Sequence, residues 1–406
     1  MAHRILKGNQ ETSRALNRRL IVNHLRRFGQ TSRSELVRAT GLSGAAVTFV
    51  TAELIDEGLV AESPTKRPGA RLRPIDLNYT AHFAVGLKLM EHQLRAVLTD
   101  LSTRALKHLT LPVPSLDPDA VADTAAAATD SILKETGIAR DRIAGIGLGL
   151  PGFIDVVRGI CTRCHRLGWT DVPIARLITE RTKIPVWADN DVNAFALAEH
   201  LFGHGRRATS LVAVTIGRGV GAGIVLDGLL YHGYSGCAGE FGHLPIVEGG
   251  RTCECGRRGC LEAYVAEPSL LARMAELVPE RTGLKVEDLA ELGLAGDTSA
   301  CAVLAEAGHF LGRGLAMVVN LFNPEVLVIA GEGVRFGKPL FLAMHKELDD
   351  LAVAPPSIIA IDDWDDDTWA RGAAGLAIQR FFDFESVQAS SDRIRSGPNG
   401  PLASAP

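Results

Sequence analysis

Gly242-His243 and, further on, Cys253-Glu254-Cys255-Gly256-Arg257-Arg258-Gly259-Cys260-Leu261-Glu262 are the most restrictive stretch of this chain. Cys253, Cys255, Cys260 and His243 supply three thiols and one imidazole, a closed tetrahedral donor set. Soft thiolates combined with imidazole select zinc, and four protein ligands leave no open position, so the ion's expected role is structural. Glycines 249, 250, 256 and 259 let a loop fold tightly around such an ion. The competing reading, buried reduced cysteines, does not account for glycines set between closely spaced thiols.

Carboxylates cluster around this block. Glu240 stands just before His243, and Glu262 follows the last thiol. Asp189-Asn190-Asp191 reads as a strand-to-helix junction, where side chains can point into a cleft. Acceptors of this kind suit hydroxyl-rich ligands, and an Asp beside a hydroxyl can act as a general base. Each acid could equally cap a helix or face solvent. Thr215-Ile216-Gly217-Arg218-Gly219-Val220-Gly221-Ala222-Gly223 reads as a hairpin whose amides could face a phosphate, or as a tight structural turn. No Gly-Lys-Ser/Thr follows, so it is not a P-loop. Cys161-Thr162-Arg163-Cys164-His165 matches a haem-attachment pattern, but the charged N-terminus is no export signal. Two ordinary loop or core thiols are expected there.

The chain has 406 residues, 46% hydrophobic and 22% charged, with a formal net charge of −4. This is globular composition, and it excludes a mainly disordered or fibrous protein. The charge is unevenly spread. Residues 1–80 hold 13 Lys and Arg against 7 Asp and Glu, a net of +6, and the rest sums to −10. A basic head on an acidic body suggests that one module meets an anion. No apolar run suits a membrane span, so a cytoplasmic protein without a membrane partner is expected. Its seven cysteines should then be thiols or metal ligands.

In the head, Leu16, Leu20, Ile21, Leu25 and Phe28 have helical spacing. Ser32-Arg33-Ser34-Glu35 matches a capping box, and Ser43 can cap a third helix with Val47, Val50, Leu54 and Ile55 on one face. Val60 to Glu62 and Leu72 to Leu77 read as two strands flanking a basic loop. Together these make a winged helix-turn-helix over residues 1–80. Its third helix has no Lys or Arg, so Ser43, Ala45 and Thr48 are the candidate base contacts, with Ala45 against a thymine methyl. Arg33, with Arg18, Arg19 and Arg38, is expected on phosphates, and Arg67, Pro68, Gly69 and Arg71 form the wing. Strands mixed with helices over residues 81–385 predict an α/β effector and oligomerisation domain in two lobes, including the metal loop 243–260. Residues 386–406, rich in Ser, Ala, Gly and Pro, read as a disordered tail.

These blocks, in this order, resemble the ROK family of sugar-dependent repressors and sugar kinases. The resemblance is carried by Gly149-Leu150-Pro151-Gly152, Leu167-Gly168-Trp169, Asp189 to Asn193, Gly239 to His243, Cys253 to Glu262, Asn323-Pro324-Glu325 and Arg371 to Ala374. It implies an actin-like, ribonuclease-H-type fold with a sugar in its cleft. By position it implies that Gly152, Asn190, Asp191, Glu240, His243 and Glu262 bind the effector. His243 would bridge zinc and sugar, and Asp191 would be the base if the protein were a kinase. Family kinases carry an Asp-x-Gly-Gly-Thr phosphate loop. Here Lys88, Met90, Glu91 and His92 stand in register with it, and Arg218 replaces a favoured Thr. Arg67-Pro68-Gly69 resembles the wing turn with which family repressors enter an A·T-rich minor groove.

The expectation is therefore a non-enzymatic transcriptional repressor, a homodimer or homotetramer. It would bind double-stranded operator DNA and respond to a sugar or sugar phosphate. The rivals are an active ATP-dependent sugar kinase with an accessory head, and an adaptor for a phosphotransfer protein.

Overall fold

The computed structural model describes residues 10–63, 73–90, 92–281, 283–362 and 367–382. The chain divides into two compact units, Met1–Asp189 with Ala374–Pro406, and Asn190–Ala373.

The first unit begins with α1 (Gln10–Phe28), α2 (Arg33–Thr40) and α3 (Gly44–Asp56), then the short antiparallel strands β1 (Val60–Glu62) and β2 (Ile75–Leu77). Both predicted caps are present. Ser32 and Glu35 form the reciprocal capping box of α2, Gly41 ends that helix in the left-handed conformation, and Ser43 accepts from the Ala46 amide to start α3. Ile21, Val22, Leu25, Leu36, Val47, Val50, Leu54 and Ile75 form the small core. Leu16, Leu20 and Phe28 do not join it and are 46%, 37% and 55% exposed. Beside Leu16 and Leu20, Arg14 pairs with Glu53 and Arg18 with Glu57, so this stretch of α1 meets α3 through ion pairs, whereas Phe28 at the end of the helix packs on His24.

The rest of this unit is β3 (Phe83–Leu89), β4 (Gln93–Asp100), β5 (Ala105–Pro112), α4 (Pro118–Thr136), β6 (Ile143–Leu150), β7 (Phe153–Asp155), β8 (Ile160–Cys164), β9 (Trp169–Val172), α5 (Ile174–Thr182) and β10 (Val186–Asn190). Its main sheet has the order β10-β6-β3-β4-β5, with β3, β4 and β5 antiparallel and β6 parallel to β3. The small sheet β7-β8-β9 was not foreseen. It buries Cys161 and Cys164, and burial pushes the Cys161 thiol up to about 12.

The second unit holds α6 (Asp191–Phe202), β11 (Leu211–Ile216), β12 (Val220–Leu226), β13 (Leu229–Leu230), α7 (Glu262–Val265), α8 (Glu267–Leu277), α9 (Val286–Leu294), α10 (Thr298–Phe322), β14 (Val326–Ala330), α11 (Lys338–Leu351), β15 (Ile358–Ile361) and the start of α12 (Thr368–Phe382). Its sheet runs β13-β12-β11-β14-β15, an antiparallel hairpin of β11 and β12 beside parallel β14 and β15. Both units share one strand order, with a meander beside a parallel strand, β6 on β3 and β14 on β11. Strands β11 and β14 are buried along their whole length, as strands covered on both faces must be. Helix α10 is long and apolar enough to cross a membrane, yet most of its apolar window is buried inside this unit, where it anchors the core.

Strand β12 sets the site. A Cβ at Gly223 would strike Ala196 and the Val192 carbonyl, and one at Gly221 would press on Val192, so the two glycines let α6 lie directly on the strand. Gly223→Val is expected to lower the unfolding free energy by about 3 kcal/mol, the upper range for overpacking. Urea denaturation measures it, and a loss below about 0.5 kcal/mol, the usual surface value, would contradict this packing.

Candidate functional site

The metal donors come from one loop. His243 ends a short 3-10 turn, Phe241–His243, that follows Glu240. Gly239 makes this possible, with φ +87° and its Cα hard against the Ala222 carbonyl. Isolated bridges Pro245↔Cys260 and Thr252↔Arg258 fold the chain back on itself, and Cys260 stands two residues before α7, whose N-cap is Leu261. The donor atoms of His243, Cys253, Cys255 and Cys260 all lie within 4.8 Å of one another. Cys255 and Cys260 sulfurs are 3.8 Å apart, and Cys253 Sγ is 3.7 Å from His243 Nδ1. A tetrahedral ion with metal–sulfur bonds of about 2.3 Å requires sulfur–sulfur edges of about 3.8 Å. The donor set therefore fits a metal ion.

Burial pushes the Cys253 thiol up to about 12, with Glu262 and Cys260 adding repulsion. Burial also opposes ionisation of Cys255, but hydrogen bonds from Arg257 and the neighbouring thiols hold its pKa down. A cation would offset the repulsion that these groups face as thiolates.

The imidazole of His243 faces two ways. Its Nδ1 meets the thiols, and its Nε2 lies 3.7 Å from Glu240 Oε2. Burial raises the Glu240 carboxyl, while His243 lowers it and Glu262 raises it further. Glu262 opens α7. Its Oε2 accepts from the Val220 amide at 3.0 Å, and its Oε1 lies 3.7 Å from Cys253 Sγ. One hairpin amide foreseen as a phosphate donor is thus occupied by a carboxylate, and the Gly217 amide donates to the Gly219 carbonyl. Arg218 pairs with Glu254 of the metal loop at 3.0 Å.

Asn190 and Asp191 sit at the start of α6, both accepting from the Val192 amide at 2.9 Å. Gly152 belongs to the first unit, with φ +101° and the Arg163 carbonyl against its Cα. Sequence reasoning missed the mooring of the loop. Arg251 lies over the Tyr264 ring, its amide donates to the Tyr264 hydroxyl, and Glu306 of α10 binds both Arg251 and Arg273. These residues are far apart in the chain, so no spacing signal joins them.

In the head, Ser43, Ala45 and Thr48 are all exposed on α3. Arg33 differs from expectation. Its guanidinium bonds Thr51, the Arg73 carbonyl and Glu62, and its side chain is only 15% exposed, so it ties α2 to α3 and β1 rather than facing outward. Arg38 is exposed. Arg67, Pro68, Gly69, Arg71 and Glu91 lie outside the described residues. Phe49, 59% exposed beside Thr48, was overlooked, although its spacing from Ala45 puts it on the same face.

Comparison with known proteins agrees with this architecture. The ROK family model matches residues 84–380. The N-acetylglucosamine repressor of Escherichia coli O157:H7 is 29% identical over 359 residues, 85% of this chain and 87% of the relative. The crystal structure of a ROK family transcriptional regulator, a homolog of the E. coli MLC protein, superposes with TM-score 0.80 at 26% identity, covering 92% of this chain and 97% of that one. The ROK hexokinase of Thermus thermophilus superposes with TM-score 0.63 at 32% identity, covering 74% of this chain and 99% of its own. Fold and site define a sugar-kinase-like α/β protein behind an N-terminal helical head. The chain belongs to the ROK family.

Freshly purified protein is expected to carry about one metal ion per chain, and Cys260→Ser to carry far less. Elemental analysis measures both, and folded wild-type protein without metal would contradict the donor geometry.

Proposed function

We propose that this chain is a sugar-responsive transcriptional repressor. The observation that carries the reading is the capped α2–turn–α3 unit, built ahead of a sugar-kinase-like fold in the same chain. Coverage supports it. The regulator matches 92% of this chain, whereas the hexokinase, itself matched to 99%, reaches only 74%.

The ion is zinc, chosen by three thiolates and an imidazole, and when bound it supplies a structural tether. Asn190, Asp191, Glu240, His243 and Glu262 hold the hydroxyls of a sugar or sugar phosphate. Glu240 and the Nε2 edge of His243 face the ligand. Glu262 is steadied by the Val220 amide and keeps its carboxylate in a fixed orientation. Ser43, Ala45 and Thr48 meet base edges, Arg38 and the wing residues Arg67, Pro68, Gly69 and Arg71 meet DNA, and two or four copies act together in the cytoplasm. A ligand changes operator affinity only through different affinities for the DNA-competent and incompetent forms.

Sugar kinase activity is disfavoured by charge and backbone. Where family kinases carry glycines, the Met90 amide donates to the Gln93 carbonyl at 2.9 Å and so is taken by backbone. At the second hairpin the Glu332 carboxylate fills the space beside Gly217, and Glu262 takes the Val220 amide. A triphosphate there would meet carboxylates rather than free amides.

Full-length protein should enrich a defined duplex from random DNA. At least one of glucose, xylose, N-acetylglucosamine or their phosphates should shift the affinity for that duplex by fivefold or more, the lower bound of ordinary allosteric coupling. Titration by fluorescence anisotropy measures the shift. Indifference to the whole panel, or ATP-dependent phosphorylation of a sugar at about 1 per second, a typical enzyme rate, would contradict the proposal.

A further inference from the structure

The outward face of α3 from Ala45 to Ala52 offers neither charge nor amide side chains, and its exposed acid, Asp56, stands at the C-terminal end of the helix. Ala45, Thr48, Phe49 and Ala52 are exposed, and their spacing of i, i+3, i+4 and i+7 makes them one stripe. The hydroxyls at its N-terminal end are engaged by the helix itself. Ser43 Oγ accepts from the Ala46 amide at 3.2 Å, and Thr48 Oγ1 donates to the Gly44 carbonyl at 2.8 Å. With its proton used inside the helix, Thr48 offers a base mainly its methyl group and its remaining acceptor capacity. The largest group on the stripe is the Phe49 ring.

The charges around this stripe are arranged for an anionic partner. Glu53 of α3 and Glu57, its C-cap, would repel phosphate, but each is paired with α1, and the exposed Asp56 lies a turn beyond the stripe. Arg14 Nε donates to Glu53 at 3.1 Å, and Arg18 bonds both oxygens of Glu57 at 2.7 and 2.5 Å. The Arg14 guanidinium also stands 5.8 Å from the centre of the Phe49 ring. The head as a whole, residues 1–80, carries +6. Charge complementarity therefore commits this face to nucleic acid, and the second helix of a helix-turn-helix is the element that enters the major groove.

On the major-groove edge every feature but one is a hydrogen-bond donor or acceptor. The exception is the thymine 5-methyl group. We infer that Phe49, supported by Ala45 and Thr48, is the specificity-determining residue of the head, and that it reads thymine methyl groups. The inference rests on the DNA-binding reading above and adds the chemical feature that is read.

The test uses the duplex that full-length protein enriches from random DNA, remade with deoxyuridine in place of thymine. Uracil keeps the phosphates and the pairing and hydrogen-bonding edges of thymine and removes only the methyl. Wild-type protein is expected to bind the uracil duplex about fourfold more weakly per contacted methyl, equivalent to about 0.8 kcal/mol per buried CH2. Phe49→Ala is expected to bind the thymine duplex about tenfold more weakly, and thymine and uracil duplexes nearly alike. Its unfolding midpoint should stay at the wild-type value, because an exposed side chain contributes little to the core. Equal affinity of wild-type protein for both duplexes overturns the inference and leaves DNA binding intact. So does a Phe49→Ala protein that keeps the full preference for thymine. A pool in which no duplex is enriched overturns the DNA-binding reading itself, and this inference with it.

Discussion

The loop site of the second unit is organised by an imidazole that faces two ways. His243 turns Nδ1 to the thiols and Nε2 toward Glu240. A metal ion bound at Nδ1 would restrict the ring and so limit the direction of Nε2. Glu262 is constrained too, lying between the Val220 amide and Cys253. Loop, hairpin and α7 are therefore joined through two side chains. The Arg251–Glu306–Arg273 network and the Arg251–Tyr264 contact hold this assembly against α10 and α8, so the loop inherits the rigidity of the core. The same hairpin that would cradle phosphate is turned inward, one amide on Glu262 and its arginine on Glu254.

Strand β12 is the floor on which these parts meet. Its glycines admit α6 on one side, and its carbonyls at Val220 and Ala222 lie against Gly242 and Gly239 on the other. A side chain at any of these positions would force the site apart. The head obeys a separate logic. Its core is small and apolar and takes Ile21, Val22 and Leu25 from α1, while ion pairs from Arg14 and Arg18 neutralise Glu53 and Glu57. Net charge is thus a poor guide to the whole chain, where −4 is the sum of a basic head and an acidic body.

Much of this was legible in the sequence because the signals were local. The capping box at Ser32 and Glu35, the Ser43 cap and the clustered thiols are each set by neighbours in the chain, and the structure contains all of them. Long-range features were not legible. The five-stranded sheets of the two units share one order, but their sequences show no repeat, because only strand sense and burial are common to them. The small sheet β7-β8-β9 has no clear alternation to announce it. Arg33 looked like a surface cation, since nothing local shows that Thr51, Glu62 and the Arg73 carbonyl will converge on it. Leu16 and Leu20 have helical spacing, yet Arg14 and Arg18 beside them pair with Glu53 and Glu57 and leave them exposed, which no local pattern announces.

The central claim is that the metal loop is the scaffold of the effector site. Its most direct test is calorimetric titration of metal-loaded and chelator-stripped full-length protein with whichever of glucose, xylose, N-acetylglucosamine or their phosphates stabilises the loaded protein most. Stripped protein should bind that sugar at least about tenfold more weakly, the scale on which loss of orienting partners acts, and zinc should restore the affinity. Equal affinity with and without metal, in protein that remains folded, would contradict the account.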